Sequence, residues 1–172
     1  MTPDFLSLLE LGSARAVADM AANAIGNDQH LFKAMLDICF NQPYPLSMRA
    51  ARVIQIYCEK HPEALLPYLD EVIGKTIASD TDGVKRNFLK IFAESIDVHQ
   101  INEPGLLLNA CFDWLNDARE TPAVRVYCME IIYLYSLNEP DLRGELKASL
   151  EFIMEEKKPS LTNRGMKILR RL

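Results

Sequence analysis

The three histidines are the side chains best suited to proton transfer or metal binding near neutral pH. They stand in the segments DQHLF, EKHPE and DVHQI, at positions 30, 61 and 99. None is followed three or four residues later by another histidine or a cysteine, although a metal site or an acid–base pair needs convergent partners. We therefore expect all three to be structural or solvated, with His61 at a helix end and His99 in a loop, and we predict no metal site.

The four cysteines could form a disulfide, a redox pair or a zinc site. They lie far apart, at positions 39, 58, 111 and 128, with no CxxC spacing. Each is surrounded by apolar residues at helical intervals, which is typical of reduced cysteines in a core. The sequence predicts four buried free thiols.

Motifs for the common catalytic sites are missing from the sequence. No segment matches HExxH, GxSxG, the phosphate-binding P-loop or the dinucleotide fingerprint GxGxxG, and seven glycines leave little material for phosphate-binding loops. We predict no catalytic residue and no cofactor, and we favour a chain that is not an enzyme.

Residues 121–136, TPAVRVYCMEIIYLYS, indicate whether the chain is built from helices or from strands. The segment has the Val, Ile and Tyr content of a strand. Its apolar residues nevertheless follow Val124 at intervals of 3, 4, 7, 8 and 11, which is one face of a helix. Thr121 and Pro122 suit the first turn, so we predict a helix over 121–137.

The same apolar frame recurs along the chain, which is the signature of a repeat array. Its first position is taken by Leu46, Val84, Val124 and Leu161, at steps of 38, 40 and 37 residues. The frame predicts helix pairs over 47–78, 82–117 and 121–156, a weaker first pair over 13–41, and a capping helix over 160–172. Pro67 should bend the second helix of its pair or split off a first turn.

Three segments, RAARVI, VKRNFLKIF and VRVYCMEII, resemble the Val-Arg and small-residue motif of HEAT repeats, which are armadillo-like α-solenoids. The resemblance covers most of residues 13–172. It implies an all-α fold, a right-handed superhelix of about four and a half helix pairs in a single domain over 1–172. The chain departs from the family where bulky residues replace the usual Ala pair and where the inter-helix Asp is irregular.

Resemblance to this family implies a non-catalytic scaffold or adaptor that binds another protein. An alternative is a nucleic-acid-binding relative of the HEAT-like alkylpurine DNA glycosylases, which use a basic groove with aromatic and acidic side chains. Only the segment FDWLND, with Asp113, Trp114 and Asp117, fits that role. The alternative interpretation of this segment is an amphipathic helix that buries Phe112 and Trp114 and keeps its carboxylates in water.

Charge along the chain predicts one binding surface. The net charge is −5, which disfavours attraction to nucleic acid or an anionic membrane without excluding a local basic patch. From Lys157 onward there are six basic residues and no acidic one, so the rest of the chain carries −11. We predict partner contacts by a basic row and by the last helix, with these cations: Arg52, Lys90, Arg164, Lys167, Arg170 and Arg171. Further cations near helix starts could extend the row into a ridge: Arg49, Lys85, Arg86 and Arg125.

A second predicted surface is apolar. Val126, Tyr133, Leu134 and Leu137 lie outside the core frame of the 121–137 helix, where they would form a patch that soluble monomers seldom expose. They either bind a protein, including a second copy of this chain, or are covered by flanking helices. The chain start has no basic region, and no uncharged apolar run reaches eighteen residues, so we expect a cytoplasmic protein without membrane contact.

Overall fold

Helices account for the regular structure of the chain. A computed structural model describes residues 3–172, and within them there are ten α-helices, two short 3-10 helices and no strand. The α-helices are α1 (Phe5–Glu10), α2 (Arg15–Ile25), α3 (Gln29–Asn41), α4 (Leu46–Cys58), α5 (Leu69–Ile77), α6 (Asp82–Glu94), α7 (Pro104–Asn116), α8 (Pro122–Ser136), α9 (Leu142–Met154) and α10 (Pro159–Leu169). The predicted all-α class is therefore confirmed.

The segment with strand composition forms α8. Thr121 has an extended backbone, and Pro122 occupies the first turn, where its missing N–H is not needed. The apolar face is buried at Val124, Cys128, Ile131, Ile132 and Tyr135. Tertiary burial of a helical face thus outweighs the strand preference of the individual residues.

The predicted frame marks buried positions in four helices. At its first position Val84, Val124 and Leu161 are buried, and Leu46 is half-buried. Four residues further on, the residue at the equivalent position is buried in all four helices: Ala50, Phe88, Cys128 and Gly165. The frame is therefore the core-facing stripe of α4, α6, α8 and α10.

Pro67 has the effect expected of a proline inside a helix. The second helix of the predicted pair over 47–78 is a 3-10 helix, Pro62–Tyr68, followed by α5. The first helix of the pair predicted over 82–117 ends at Glu94, and a 3-10 turn, Val98–Gln100, follows it.

Helix α1 was not predicted from the sequence. The Asp4 carboxylate caps it by accepting hydrogen bonds from the backbone N–H of Ser7 at 3.1 Å and from its hydroxyl at 2.7 Å. Phe5 and Leu9 anchor the helix because both are buried. The Asp-x-x-Ser spacing is a visible signal, but the helix lies outside the repeated frame.

The chain divides into two compact units, with the boundary between Ile91 and Phe92. In the first unit α4 packs against α2 and α3, and the rings of Phe40 and Phe88 stack with centroids 5.1 Å apart. At Gly83, near the start of α6, an added Cβ would overlap Cγ of Met48, so a larger residue there requires the Met48 side chain to shift.

In the second unit α8 packs against α7, α9 and α10, and α9 packs against α10. Its core is mostly aliphatic, and burial of each Leu or Ile side chain contributes roughly 1.5–3 kcal/mol. The hydroxyl of Tyr135 donates to the Val98 carbonyl at 2.8 Å, which ties α8 to the 3-10 turn before α7.

Candidate interaction surfaces

Two cations of the basic row predicted across the first helices, Arg52 and Lys90, are engaged in contacts within the first unit. Arg52 donates through Nη1 to the Ser13 carbonyl at 2.9 Å. Lys90 Nζ lies 3.6 Å from a carboxylate oxygen of Glu59. Glu59 also accepts from the Gln55 amide at 2.7 Å and lies 3.9 Å from Arg15. The cations of this row therefore join neighbouring helices.

Arg164, on α10, is likewise engaged. Its Nε lies 2.9 Å from an oxygen of Glu130 on α8, and the Glu130 side chain is only 17% exposed. Glu130, which stands at the same frame position as Arg52, Lys90 and Lys167, thus holds α10 against α8.

The remaining candidate cations are on the outer side of α10 and after its end. Lys167, Arg170 and Arg171 are exposed, and within residues 3–172 none of them forms an ion pair. We call these three residues the α10 basic surface. Basic side chains here complement the partial negative charge of the helix C-terminus, so part of their placement is explained by helix stability.

The prediction that Arg125 extends the basic row into a surface ridge was wrong. Its side chain is completely buried. Nε donates to the Leu115 carbonyl at 2.9 Å, while Nη1 and Nη2 donate to the two carboxylate oxygens of Glu156 at 2.9 and 2.6 Å. A guanidinium can be buried only where its donors are matched, as they are here. Arg49, from the same set, is half-buried and donates to the Leu9 carbonyl at 2.9 Å.

The Arg125 contact fixes the start of α10. Glu156 follows α9, and Lys158, the residue before α10, lies 3.0 Å from the same carboxylate. Hydrogen bonds from Arg125 and then Lys158 lower the pKa of Glu156 to about 2, so the carboxylate is charged at neutral pH. The α7 end, the α8 start and the α9–α10 turn are joined by this cluster, which sequence analysis missed.

The apolar candidates on α8 are partly covered. Val126, Tyr133 and Leu134 are half-buried, and Leu137, just after the helix, is 49% exposed. We call these four residues the α8 stripe. Its use as a contact surface stays a prediction.

The FDWLND segment lies at the end of α7. Asp113 is exposed, but Phe112 and Trp114 are half-buried, so the expectation that both are buried was wrong. Arg119 lowers the pKa of Asp117 to about 2 by hydrogen bonds from its side chain and backbone. A carboxylate with that pKa is a weak base at neutral pH.

Two of the histidines contact tyrosine rings, and the cysteines are buried. The ring of His61 packs on Tyr57 with centroids 4.8 Å apart, and His99 meets Tyr135 edge to face at 5.6 Å. All four cysteines are buried and none forms a disulfide within residues 3–172, as predicted, and burial raises the pKa of Cys58 to about 12. No group of three or more His, Cys, Asp or Glu side chains among the described residues could hold a metal ion.

One cleft lies beside the α10 basic surface. It has a volume of about 440 Å³, and its lining combines α9 side chains with two leucines of the α10 segment: Arg143, Gly144, Lys147, Glu151, Leu169 and Leu172. The sequence does not predict this cleft, because its shape depends on how α9 and α10 pack. A larger cavity of about 450 Å³ lies between α2 and α4 in the first unit, and its side chains are mostly polar.

Comparison with known proteins identifies one family. The family model of a HEAT repeat domain matches residues 7–172. No curated protein and no solved structure matches the chain. In the part of the chain that the structure describes, no helix has the length and apolarity to cross a membrane.

Proposed function

This chain belongs to the HEAT repeat domain family, and we propose from that premise that it is a non-catalytic adaptor that binds an acidic protein surface through α10. The helix pairs supply a scaffold of stacked hydrophobic faces, which leaves the outward sides free for contact. We place its action in the cytoplasm, which suits four reduced cysteines.

The observation that carries the proposal is the contrast among the predicted cations. Arg52, Lys90 and Arg164 have partners within the chain, so binding another protein through them would first break existing contacts. Lys167, Arg170 and Arg171 are exposed and form no ion pair with any residue from 3 to 172. Cations of this kind attract an opposite charge at no cost in broken contacts.

An apolar component adjoins these charges. Met166 is 40% exposed on α10, and Leu169 and Leu172 are half-buried. A protein surface can use both charge and apolar area, whereas a nucleic-acid backbone uses mainly charge. The α8 stripe is a second contact surface in this proposal.

Nucleic-acid binding is the second candidate, and the same unpaired cations favour it. Phosphate contacts release counterions, so such binding must weaken steeply as salt rises. Mobility shift of duplex DNA at about 50 mM and about 200 mM salt tests it.

The test of the adaptor function measures binding of a fluorescent polyglutamate peptide to the full chain. Arg170→Gln with Arg171→Gln should weaken binding about 3- to 30-fold, since two exposed ion pairs contribute up to about 2 kcal/mol. The matched control is Lys60→Gln with Arg86→Gln, which removes the same charge from exposed positions of the first unit.

The control variant should bind the peptide as the unaltered chain does. Equal losses in both variants would show generic attraction, and the proposed site on α10 would be abandoned. Tight DNA binding that depends on Arg170 and Arg171 would instead favour the second candidate.

A further inference from the structure

Helix α9 exposes an aromatic side chain among carboxylates. Phe152 is 62% exposed, and the exposed side of the helix around it also carries Glu145, Glu151 and Glu155. Glu145 and Glu155 form no ion pair within residues 3–172, and Glu151 is 3.9 Å from Lys147. A single exposed apolar residue is ordinary on a protein surface. Whether Phe152 belongs to a contact surface therefore depends on the residues beside it.

Beside this acidic face lies a cleft with one charged side and one apolar side. The cleft of about 440 Å³ runs between α9 and α10, and Leu169 and Leu172 form its apolar side. At Gly144 the cleft borders open space, since a Cβ at this position would meet no atom within 4 Å. The second unit therefore carries both an exposed aromatic side chain and a cleft whose apolar side could receive one.

Charges on the two neighbouring helices are complementary. The α9 side presents Glu145, Glu151 and Glu155, and the α10 basic surface presents three cations. A purely acidic partner can use only the α10 cations, whereas a partner with both signs of charge can contact the α10 cations and the α9 carboxylates together. A second copy of this chain has both signs in matching places.

We infer that a second copy is the acidic partner of α10, and that Phe152 of each copy enters the α9–α10 cleft of the other. This inference rests on the proposed function and names its partner. A two-fold axis pairs the acidic face of α9 with the α10 basic surface twice, so the same contacts are made in both directions. Aromatic side chains in a pocket, ringed by polar residues, are the usual energetic centre of such interfaces.

The interface is small. Helices α9 and α10 have 13 and 11 residues, so each is roughly 15–20 Å long at about 1.5 Å per residue. Contacts of two short helices per copy lie near or below the standard interface of about 1,600 Å². We therefore expect a reversible dimer with micromolar affinity, detectable by sedimentation equilibrium between about 1 µM and about 1 mM.

The apolar contact is tested by Phe152→Ser in the full chain. This variant should weaken dimerisation by at least about 30-fold, the effect of removing a buried aromatic anchor. Leu106→Ser is the matched control, because Leu106 is 55% exposed on α7 of the same unit. It should leave the dimer unchanged, and the unfolding midpoint of both variants should stay near that of the unaltered chain.

Charge reversal tests the pairing itself. Arg170→Glu with Arg171→Glu, and separately Glu151→Lys with Glu155→Lys, should each give monomers, because both contacts of the dimer then join like charges. An equimolar mixture of the two variants should restore a dimer, since each contact then joins opposite charges again.

A chain that stays monomeric over the whole range would overturn the inference, and so would a mixture that remains monomeric. Dimerisation that persists in Phe152→Ser would overturn it as well. Polyglutamate binding decides separately on the proposed function: a monomeric chain that binds the peptide through Arg170 and Arg171 retains that function without self-association.

Discussion

Each of the two units holds an arginine near the start of a first helix, yet the two guanidinium groups differ in how well they are satisfied. Arg49 in the first unit donates through Nη1 to the Leu9 carbonyl, while its buried Nε has no hydrogen-bond partner. Arg125 in the second unit donates through Nε, Nη1 and Nη2, and all three acceptors lie within 2.9 Å.

Complete burial of a guanidinium group requires acceptors for most of its N–H donors. Removing a guanidinium from water costs several kcal/mol, and only well-placed acceptors offset that cost. Arg125 is completely buried because Glu156 and the Leu115 carbonyl provide such acceptors. Arg49 stays half-buried because it has one.

The largest effect is expected for Arg125→Met. Loss of the guanidinium leaves the Leu115 carbonyl unpaired and separates the α9–α10 turn from α7 and α8, so the free energy of unfolding should fall by about 3 kcal/mol. Arg49→Met, the matched control, should cost about 1 kcal/mol because it removes one hydrogen bond. Urea denaturation of the full chain measures both, and equal losses would break the comparison.

The effect of Glu156→Gln should depend on pH. Hydrogen bonds from Arg125 and Lys158 lower the pKa of Glu156 from its ordinary 4.5 to about 2. The folded carboxylate therefore stays charged where the unfolded one is protonated, so its stabilisation is complete above pH 4.5 and disappears as the pH falls towards 2.

We expect the stability of the unaltered chain to fall more steeply through this range than that of Glu156→Gln. Denaturation at a series of pH values compares the two slopes. The low pKa of Asp117 arises chiefly from Arg119, which this substitution leaves in place, so we expect its contribution to cancel in the difference. Parallel slopes would mean that the Arg125 contact does not depend on charge.

Effects of about 1–2 kcal/mol or less are expected for two tyrosines that lie eleven residues after the frame positions Leu46 and Val124. Tyr135→Phe leaves the buried Val98 carbonyl without its donor and should cost about 1–2 kcal/mol. Tyr57→Phe should cost less, because the Gly26 carbonyl that accepts its hydroxyl at 2.8 Å belongs to an exposed residue that water can reach. Thermal unfolding of both variants gives the ranking.

The helix pairs could be predicted because the repeated frame records burial directly. Val84, Val124 and Leu161 are buried at equivalent places, and Pro67 divides its helix for a local steric reason. Helix α1 was missed because one turn and a half of helix shows no repeated spacing.

The fate of individual charges could not be predicted in this way. Arg52 and Lys167 occupy the same frame position, yet Arg52 binds a carbonyl 39 residues away and Lys167 is exposed. The difference depends on which distant backbone lies within reach of the side chain, and periodicity contains no such information. The α9–α10 cleft was missed for the same reason.

The buried cysteines have a practical consequence. Cys39 and Cys58 lie in the first unit and Cys111 and Cys128 in the second, with two thiols sealed inside each. A thiol-specific reagent can alkylate them only when the surrounding helices separate, because reaction needs an accessible thiolate. The native chain therefore carries two pairs of internal probes, and mass spectrometry of the alkylated peptides would report whether the units open together or one at a time.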